Sequence, residues 1–237
     1  MALPVIECFS DLHCPWAYLA SFRLRQLWPA YRGRLTIRWR ALSLEYINQR
    51  GTPKPILDLE IPLIQQIEPA LPIQRWSRPD WEWPATFWPA FEALLCAQAQ
   101  HPDAAFELQW RLRVAFFGEQ RCVALRHELL ALAQEVAQVA PLDVARFKAD
   151  WDSGRFKAQV LADSRQGWHT LRVPGSPTFV LPSGEQVHNP AAGQATIDEA
   201  ALTLRGYQPF RGDALAVYRE LLDRAIHVAP TTPAMHS

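Results

Sequence analysis

Cysteine is the side chain in this sequence best suited to covalent chemistry, and one of the four cysteines stands apart. Cys14 lies in Asp11-Leu12-His13-Cys14-Pro15-Trp16-Ala17-Tyr18. Proline is well tolerated at the first position of a helix, where its missing N–H would have no intrahelical partner anyway. A helix opening at Pro15 puts Cys14 at or beside the N-cap, where the sulfur faces unpaired N–H groups and the positive end of the helix dipole. Both favour thiolate over thiol. A free cysteine, with a pKa near ~8.5, is only a few per cent ionised at pH 7, whereas a pKa of about 6 would make it roughly 90 % thiolate. Thiolate is the form that attacks a disulfide. Cys8, Cys96 and Cys122 lie in stretches without this signal, and read as small core or near-surface residues.

Two elements must hold Cys14. Leu3 to Phe9 is mostly apolar and reads as a short strand closed by Ser10-Asp11. Trp16 to Trp28 reads as a helix, with Tyr18, Leu19, Phe22, Leu24, Leu27 and Trp28 at mainly three- and four-residue spacings. Trp16 and His13 flank the sulfur. Trp16 would shield one side of it and set the packing of the helix. A protonated His13 would favour the thiolate, but a solvated loop residue is the preferred reading. Asp11 reads as a helix cap ahead of a group that moves protons.

A second signal lies far along the chain, in Val173-Pro174-Gly175-Ser176-Pro177-Thr178-Phe179-Val180-Leu181, where Thr178 to Leu181 reads as a strand with proline directly before it. Together the two stretches resemble the thioredoxin superfamily in its DsbA-like branch. The pattern Asp11-x-x-Cys14-Pro15-Trp16 is similar to that of FrnE-like proteins. Kappa-class glutathione transferases and 2-hydroxychromene-2-carboxylate isomerases are more distant likenesses. The resemblance implies an α/β fold, a thioredoxin fold with a large α-helical insertion. It implies Cys14 as nucleophile, a cis Ser176-Pro177 bond facing it, and a backbone at Ser176 that pairs with an extended substrate. Pro15, Trp16, His13, Ser176 and Gly175 would line the substrate site, with the missing Cβ of Gly175 giving the loop freedom to approach. One departure matters: where most of these enzymes carry a second cysteine, this chain has Ala17.

Composition bounds the rest. The 237 residues make one large domain or one domain with an insertion. Lys+Arg and Asp+Glu both number 24, a balance that gives no footprint for nucleic acid or an anionic membrane. No secretory signal is read at the N-terminus, and no apolar run approaches the ~20 residues that span a bilayer. The cysteines show neither CxxC nor zinc-like spacing, and His127, His169 and His188 are scattered over separate elements, so no metal site is expected. No Gly-x-Ser-x-Gly elbow supports a hydrolase. A reducing cytoplasm is the default expectation.

Along the chain, Arg34 to Leu42 alternates as a half-buried strand, parallel to the first. From Ser43 to Pro84 seven prolines rule out long helices, leaving a tryptophan-bearing loop that either walls a substrate groove or clamps onto the core. Helices are expected over Thr86–Ala99, from Asp103 as N-cap to Gly118, over Leu125–Val139, from Pro141 to Trp151, and over Arg155–Trp168. A hairpin turning at Pro182-Ser183-Gly184 follows, then helices over Thr196–Arg205 and Asp213–Val228 and a frayed tail. The organisation expected is a thioredoxin-fold N-terminal part (1–45), a loop plus helical insertion (46–170), a thioredoxin-fold C-terminal part (171–228) and a tail (229–237).

The function expected is a thiol–disulfide oxidoreductase acting through Cys14 alone. With alanine at position 17, a mixed disulfide must be released by a small thiol such as glutathione, by the partner's own thiol or by another cysteine. Cys8 is a poor candidate, because six residues of strand and turn can carry it well beyond the ~7 Å limit between Cα atoms. No tightly bound cofactor is expected. Partners would be a small thiol and a disulfide-containing protein or small molecule, and the kappa-class likeness points to a homodimer. Two other readings stay open: a glutathione-dependent transferase or isomerase in which Cys14 need not react, and a thioredoxin-like binding module without turnover.

Overall fold

The computed structural model describes residues 3–198 and 201–227. Strand β1 (Val5–Ser10) runs into helix α1 (Pro15–Tyr31), which crosses over to β2 (Thr36–Ala41), and the two strands pair in parallel with Cys8 opposite Trp39. Strand β3 (Thr178–Val180) pairs antiparallel with β1, and β4 (Gln186–His188) antiparallel with β3, giving the order β2-β1-β3-β4. Phe9 lies opposite Thr178. The chain leaving β1 toward Cys14 and the chain reaching β3 from Pro177 therefore meet at one end of the sheet.

The stretch from Ser43 to Pro84 is not one loop. It holds α2 (Leu44–Asn48) and a fourteen-residue helix, α3 (Lys54–Ile67). The prolines are accommodated for two reasons. Pro55 falls in the first turn, where its N–H is not needed. Pro62 deprives the Asp58 carbonyl of its helical donor, and Arg75 Nε supplies one at 3.1 Å. Leu57, Ile61 and Ile64 form the buried face. Trp76 is buried, Trp83 packs on the core and Trp81 is exposed, so two of the three tryptophans clamp the segment.

The helical block comprises α4 (Trp88–Gln98), α5 (Pro102–Arg113), α6 (Arg126–Ala137), α7 (Val144–Asp152) and α8 (Lys157–Arg165). Two starts differ from expectation. Pro102 takes the first position of α5, so the cap is His101, whose Nδ1 accepts the Asp103 N–H at 3.1 Å. Helix α7 begins past Pro141 because Asp143 accepts the N–H groups of Ala145 and Arg146. Both α5 and α8 widen into π turns, Val114–Gly118 and Gln166–Leu171.

The helix expected over Thr196–Arg205 is instead an antiparallel hairpin, β5 (Gln194–Asp198) and β6 (Thr203–Gln208), forming a second sheet. Thr196, Ile197 and Thr203 are β-branched and suit extended backbone. Helix α9 (Ala214–His227) buries Tyr218, Leu221, Leu222 and Ala225, and it packs against α1. The expected helix end at Val228 and the tail 229–237 lie outside the described residues. No helix among the described residues is long and apolar enough to cross a membrane.

Candidate active site

Cys14 occupies the N-cap of α1 with extended backbone, and Pro15 follows at the first helical position. Its carbonyl accepts the first helical bond, from the Tyr18 N–H at 3.1 Å. The Ser176-Pro177 peptide is cis, as the family pattern implies. Two hydrogen bonds cross between the loops: the Cys14 thiol donates to the Ser176 carbonyl at 3.4 Å, and the Asp11 N–H donates to Ser176 Oγ at 2.8 Å. Beyond Pro177, its own carbonyl accepts the Asn189 N–H at 2.9 Å, which fixes the loop to the end of β4.

Asp11 is a hub rather than a cap of α1. Its Oδ1 accepts the His13 N–H and its Oδ2 the Leu44 N–H, both at 2.6 Å, so the carboxylate joins the Cys14 turn to the start of α2. Burial raises its pKa from 3.8 to about 6, against the pull of those two N–H groups and of Arg113.

The thiolate expected at Cys14 does not hold in the resting protein. Cys14 is 5 % exposed. Burial pushes its pKa up to about 12, Glu60 adds to the rise, and the Ala17 N–H and the Ser176 contact offset only part of it. The helix terminus acts in the expected direction, but the sulfur makes no full capping hydrogen bond. Losing water costs the anion more than the dipole returns.

His13 is not a solvated loop residue. It is 4 % exposed, stacked on Phe87 at 4.1 Å and flanked by Trp83 and Phe116. Burial drives its pKa down to about 3, so it is neutral, and its Nε2 has no hydrogen-bond partner among the described residues. Trp16 is buried beside Cys14 in the first turn of α1, its indole N–H donates to Glu60 Oε1 at 2.7 Å, and it lines the neighbouring groove rather than the cavity at the sulfur. Gly175 has no unusual backbone angle; a Cβ there would sit 3.1 Å from the His188 ring, a tight contact that the ring would have to yield to. Ala17 is buried in the first turn of α1, at the position of the missing cysteine.

A cavity of about 130 Å³ opens at Cys14, walled by His13 and Pro15 and, from the other side, by Leu44, Arg50, Ile56 and Glu60. The 43–84 stretch is clamped onto the core by Trp76 and Trp83, and its helices α2 and α3 line the cavity. Cys8 does not reach this space. It lies in β1 between Trp39 and Phe179 on the neighbouring strands, 1 % exposed.

Two residues beside Cys14 carry no motif. Glu60 sits on α3, and the spacing of Leu57, Ile61 and Ile64 is the signal that marks a helix there despite Pro62. Arg113 is 1 % exposed and donates to Ser10 Oγ, the Asp11 carbonyl and Gln109 Oε1. In the sequence it is one of two arginines, with Arg111, between Phe106 and Phe117, and nothing there sets it apart.

Solved structures share this fold. The cytosolic disulfide reductase DsbM from Pseudomonas aeruginosa, solved with GSH, is 23 % identical at a TM-score of 0.58, covering 77 % of this chain and 89 % of its own. A probable DsbA oxidoreductase from Streptomyces coelicolor is 19 % identical at a TM-score of 0.63, covering 97 % and 93 %. A 2-hydroxychromene-2-carboxylate isomerase is 19 % identical at a TM-score of 0.58, covering 77 % and 87 %. No curated protein matches the sequence. The model of the DSBA-like thioredoxin domain matches residues 5–201. With a cysteine at the head of α1, a cis-proline against it and that match over most of its length, the chain belongs to the DSBA-like thioredoxin domain family.

Proposed function

We propose that this protein is a thiol–disulfide oxidoreductase that works through Cys14 alone and uses a small thiol of the glutathione type to release its mixed disulfides. The observation that carries the reading is the position of one sulfur. Cys14 Sγ heads a helix, touches the carbonyl before a cis-proline and opens on a cavity, with alanine where a resolving cysteine would stand. The Asp11-x-x-Cys14-Pro15-Trp16 pattern supports the FrnE-like branch. The GSH in the Pseudomonas aeruginosa structure supports a small thiol as co-substrate. Four unpaired cysteines fit a reducing compartment, and that relative is named as cytosolic.

The chemistry is exchange. Cys14 loses its proton and attacks one sulfur of the partner disulfide. The Cys14 S–S bond forms as the partner's bond breaks, and the departing sulfur leaves with the electron pair and takes up a proton. A second thiol then attacks the mixed disulfide, restores Cys14 and carries the bound group away as a new disulfide. One disulfide is consumed and one formed, so no further oxidant is required. Because the resting sulfur is a thiol, the first step quickens as pH rises.

A second reading has one observation in its favour. A neutral, buried thiol that donates a hydrogen bond could instead hold the thiolate of a bound cofactor, as in a glutathione-dependent isomerase. Intact mass after exposure to oxidised glutathione separates the two. A single adduct in the wild type that vanishes in Cys14→Ser supports exchange. No adduct, with reversible glutathione binding that survives Cys14→Ser, supports the cofactor reading and overturns the first.

A further inference from the structure

The 130 Å³ cavity at Cys14 is smaller than the ~300–1,000 Å³ in which proteins usually hold a whole ligand. It adjoins a larger space. Glu60 lines the cavity and also, with Trp16, one wall of a groove of about 660 Å³. The opposite wall is the end of β4, His188 and Asn189, followed by the chain from Gly193 to Ile197. That run is five consecutive residues, four of them in β5. Side chains of a strand alternate between its two faces, so an unbroken run borders a single groove only along the strand's edge. One edge of β5 is taken by β6, and among the described residues no strand pairs with the other.

The edge is held in place at its base. Tyr207 donates its hydroxyl to the Ala192 carbonyl at 2.9 Å, and Arg23 Nη1 donates to the Ala191 carbonyl at 2.8 Å. Gly193 turns the chain into β5 with φ near +78°, and a Cβ there would lie 2.5 Å from the Gln208 carbonyl oxygen. Gln194 and Thr196, the exposed side chains along the edge, are uncharged.

We propose that the free edge of β5 is a docking strand for an extended, cysteine-bearing polypeptide. The polypeptide adds as a further strand and presents its disulfide past Trp16 to Cys14. An unpaired edge offers main-chain donors and acceptors in a row, which recognise backbone and are the usual basis of strand addition. With Gln194 and Thr196 uncharged, recognition along the edge falls to its main chain, and the Glu60 carboxylate across the groove, held by Trp16, repels an anionic headgroup, which favours polypeptide as the occupant. The Trp16–Glu60 hydrogen bond stands where cavity and groove meet, so a small thiol reaches Cys14 through the cavity while the protein partner lies in the groove. Delivery of the disulfide rests on the exchange reaction proposed above, whereas docking does not.

The test uses the full chain and a short labelled peptide with one central cysteine. Its cysteine-to-serine form measures docking by fluorescence anisotropy on the Cys14→Ser protein, and its mixed disulfide with glutathione measures adduct formation on the wild type. Thr196→Trp fills the groove from an exposed position, and a peptide N-methylated at alternate amides blocks strand pairing without touching the protein. The expected result is that either change weakens docking and slows the peptide adduct at least about tenfold, while the adduct with oxidised glutathione forms at the wild-type rate. Peptide docking and adduct rates that ignore both changes would overturn the proposal, as would no docking at all. Docking that responds to both changes in a protein that forms no adduct would leave the docking strand standing and remove the exchange reaction.

Discussion

Cys8 and Cys14 lie six residues apart, and by burial alone they are nearly the same residue. They are 1 % and 5 % exposed, and burial pushes both pKa values up to about 12. The turn and the strand differ in what surrounds the sulfur. Cys8 is covered by strands on both sides, with Trp39 and Phe179 beside it. Cys14 stands one turn past the strand's end, at a helix terminus, with a carbonyl at 3.4 Å and a cavity in front of it. Burial sets the resting protonation of both. Access and the local donors and acceptors decide which one can do chemistry.

The sharpest way to break this comparison is to delete each sulfur. Cys14→Ser should abolish the adduct with oxidised glutathione in intact mass spectra, and Cys8→Ser should leave it intact. An adduct that follows Cys8 would reverse the assignment. Alkylation against pH comes next in size. With its pKa near 12, Cys14 should react far more slowly than a free thiol at pH 7, and its rate should still be climbing at pH 9, above the ~8.5 midpoint of an ordinary cysteine. A plateau near pH 7 would mean that the helix terminus outweighs burial after all.

Ala17→Cys sharpens the comparison from the other side. It places a second thiol in the first turn, beside Cys14, so exposure to oxidised glutathione should end in an internal disulfide and no retained adduct. Persistence of the adduct would show that the added sulfur cannot reach. Arg113 lies close enough for its charge to act on both cysteines. Arg113→Met takes a donor from Ser10, the Asp11 carbonyl and Gln109, of which the carbonyl keeps the Cys14 N–H and Gln109 keeps the Ser21 hydroxyl, and should cost about 1–3 kcal/mol in urea unfolding.

At pH 7 the smallest effect concerns His13. Its folded pKa of about 3 lies below the ordinary 6.5, so its contribution to stability is lost as pH falls from 6.5 toward 3. Asp11 works in the opposite sense: its folded pKa of about 6 lies above 3.8, so its contribution falls as pH rises between those values. The two oppose each other between pH 4 and 6. His13→Phe keeps the stack on Phe87 and removes one of them. The variant should gain on the wild type by up to about 1.4 kcal/mol per pH unit as pH drops below 6.5. Its adduct rate at pH 7 should stay within about threefold of wild type, whereas loss of an acid–base group costs at least about a hundredfold.

Much of the architecture was legible without coordinates. Alternation in Arg34–Leu42 and the three- and four-residue spacing after Pro15 reflect local periods of strand and helix, and both elements formed as read. The failures share a cause. Pro62 breaks a local rule that Arg75 repairs from eight residues beyond the helix. The hairpin β5–β6 competes with a helical spacing and wins through pairing across the chain. His13 reads as solvated in the sequence because nothing near it along the chain announces Phe87, Trp83 and Phe116.

The sequence by itself determined which sulfur heads a helix and that no second cysteine follows. Residue type and spacing act over one turn of chain, and those two facts need no more; that Pro177 faces the sulfur was implied by a family resemblance, and the contact is made only in the fold. Only the tertiary structure decided how that sulfur rests. Its desolvation, the Glu60 carboxylate from α3 and the Ser176 carbonyl from 162 residues away are set by segments that meet only when the sheet forms. Protonation depends on the whole surroundings of a group, and a sequence lists only its neighbours along the chain.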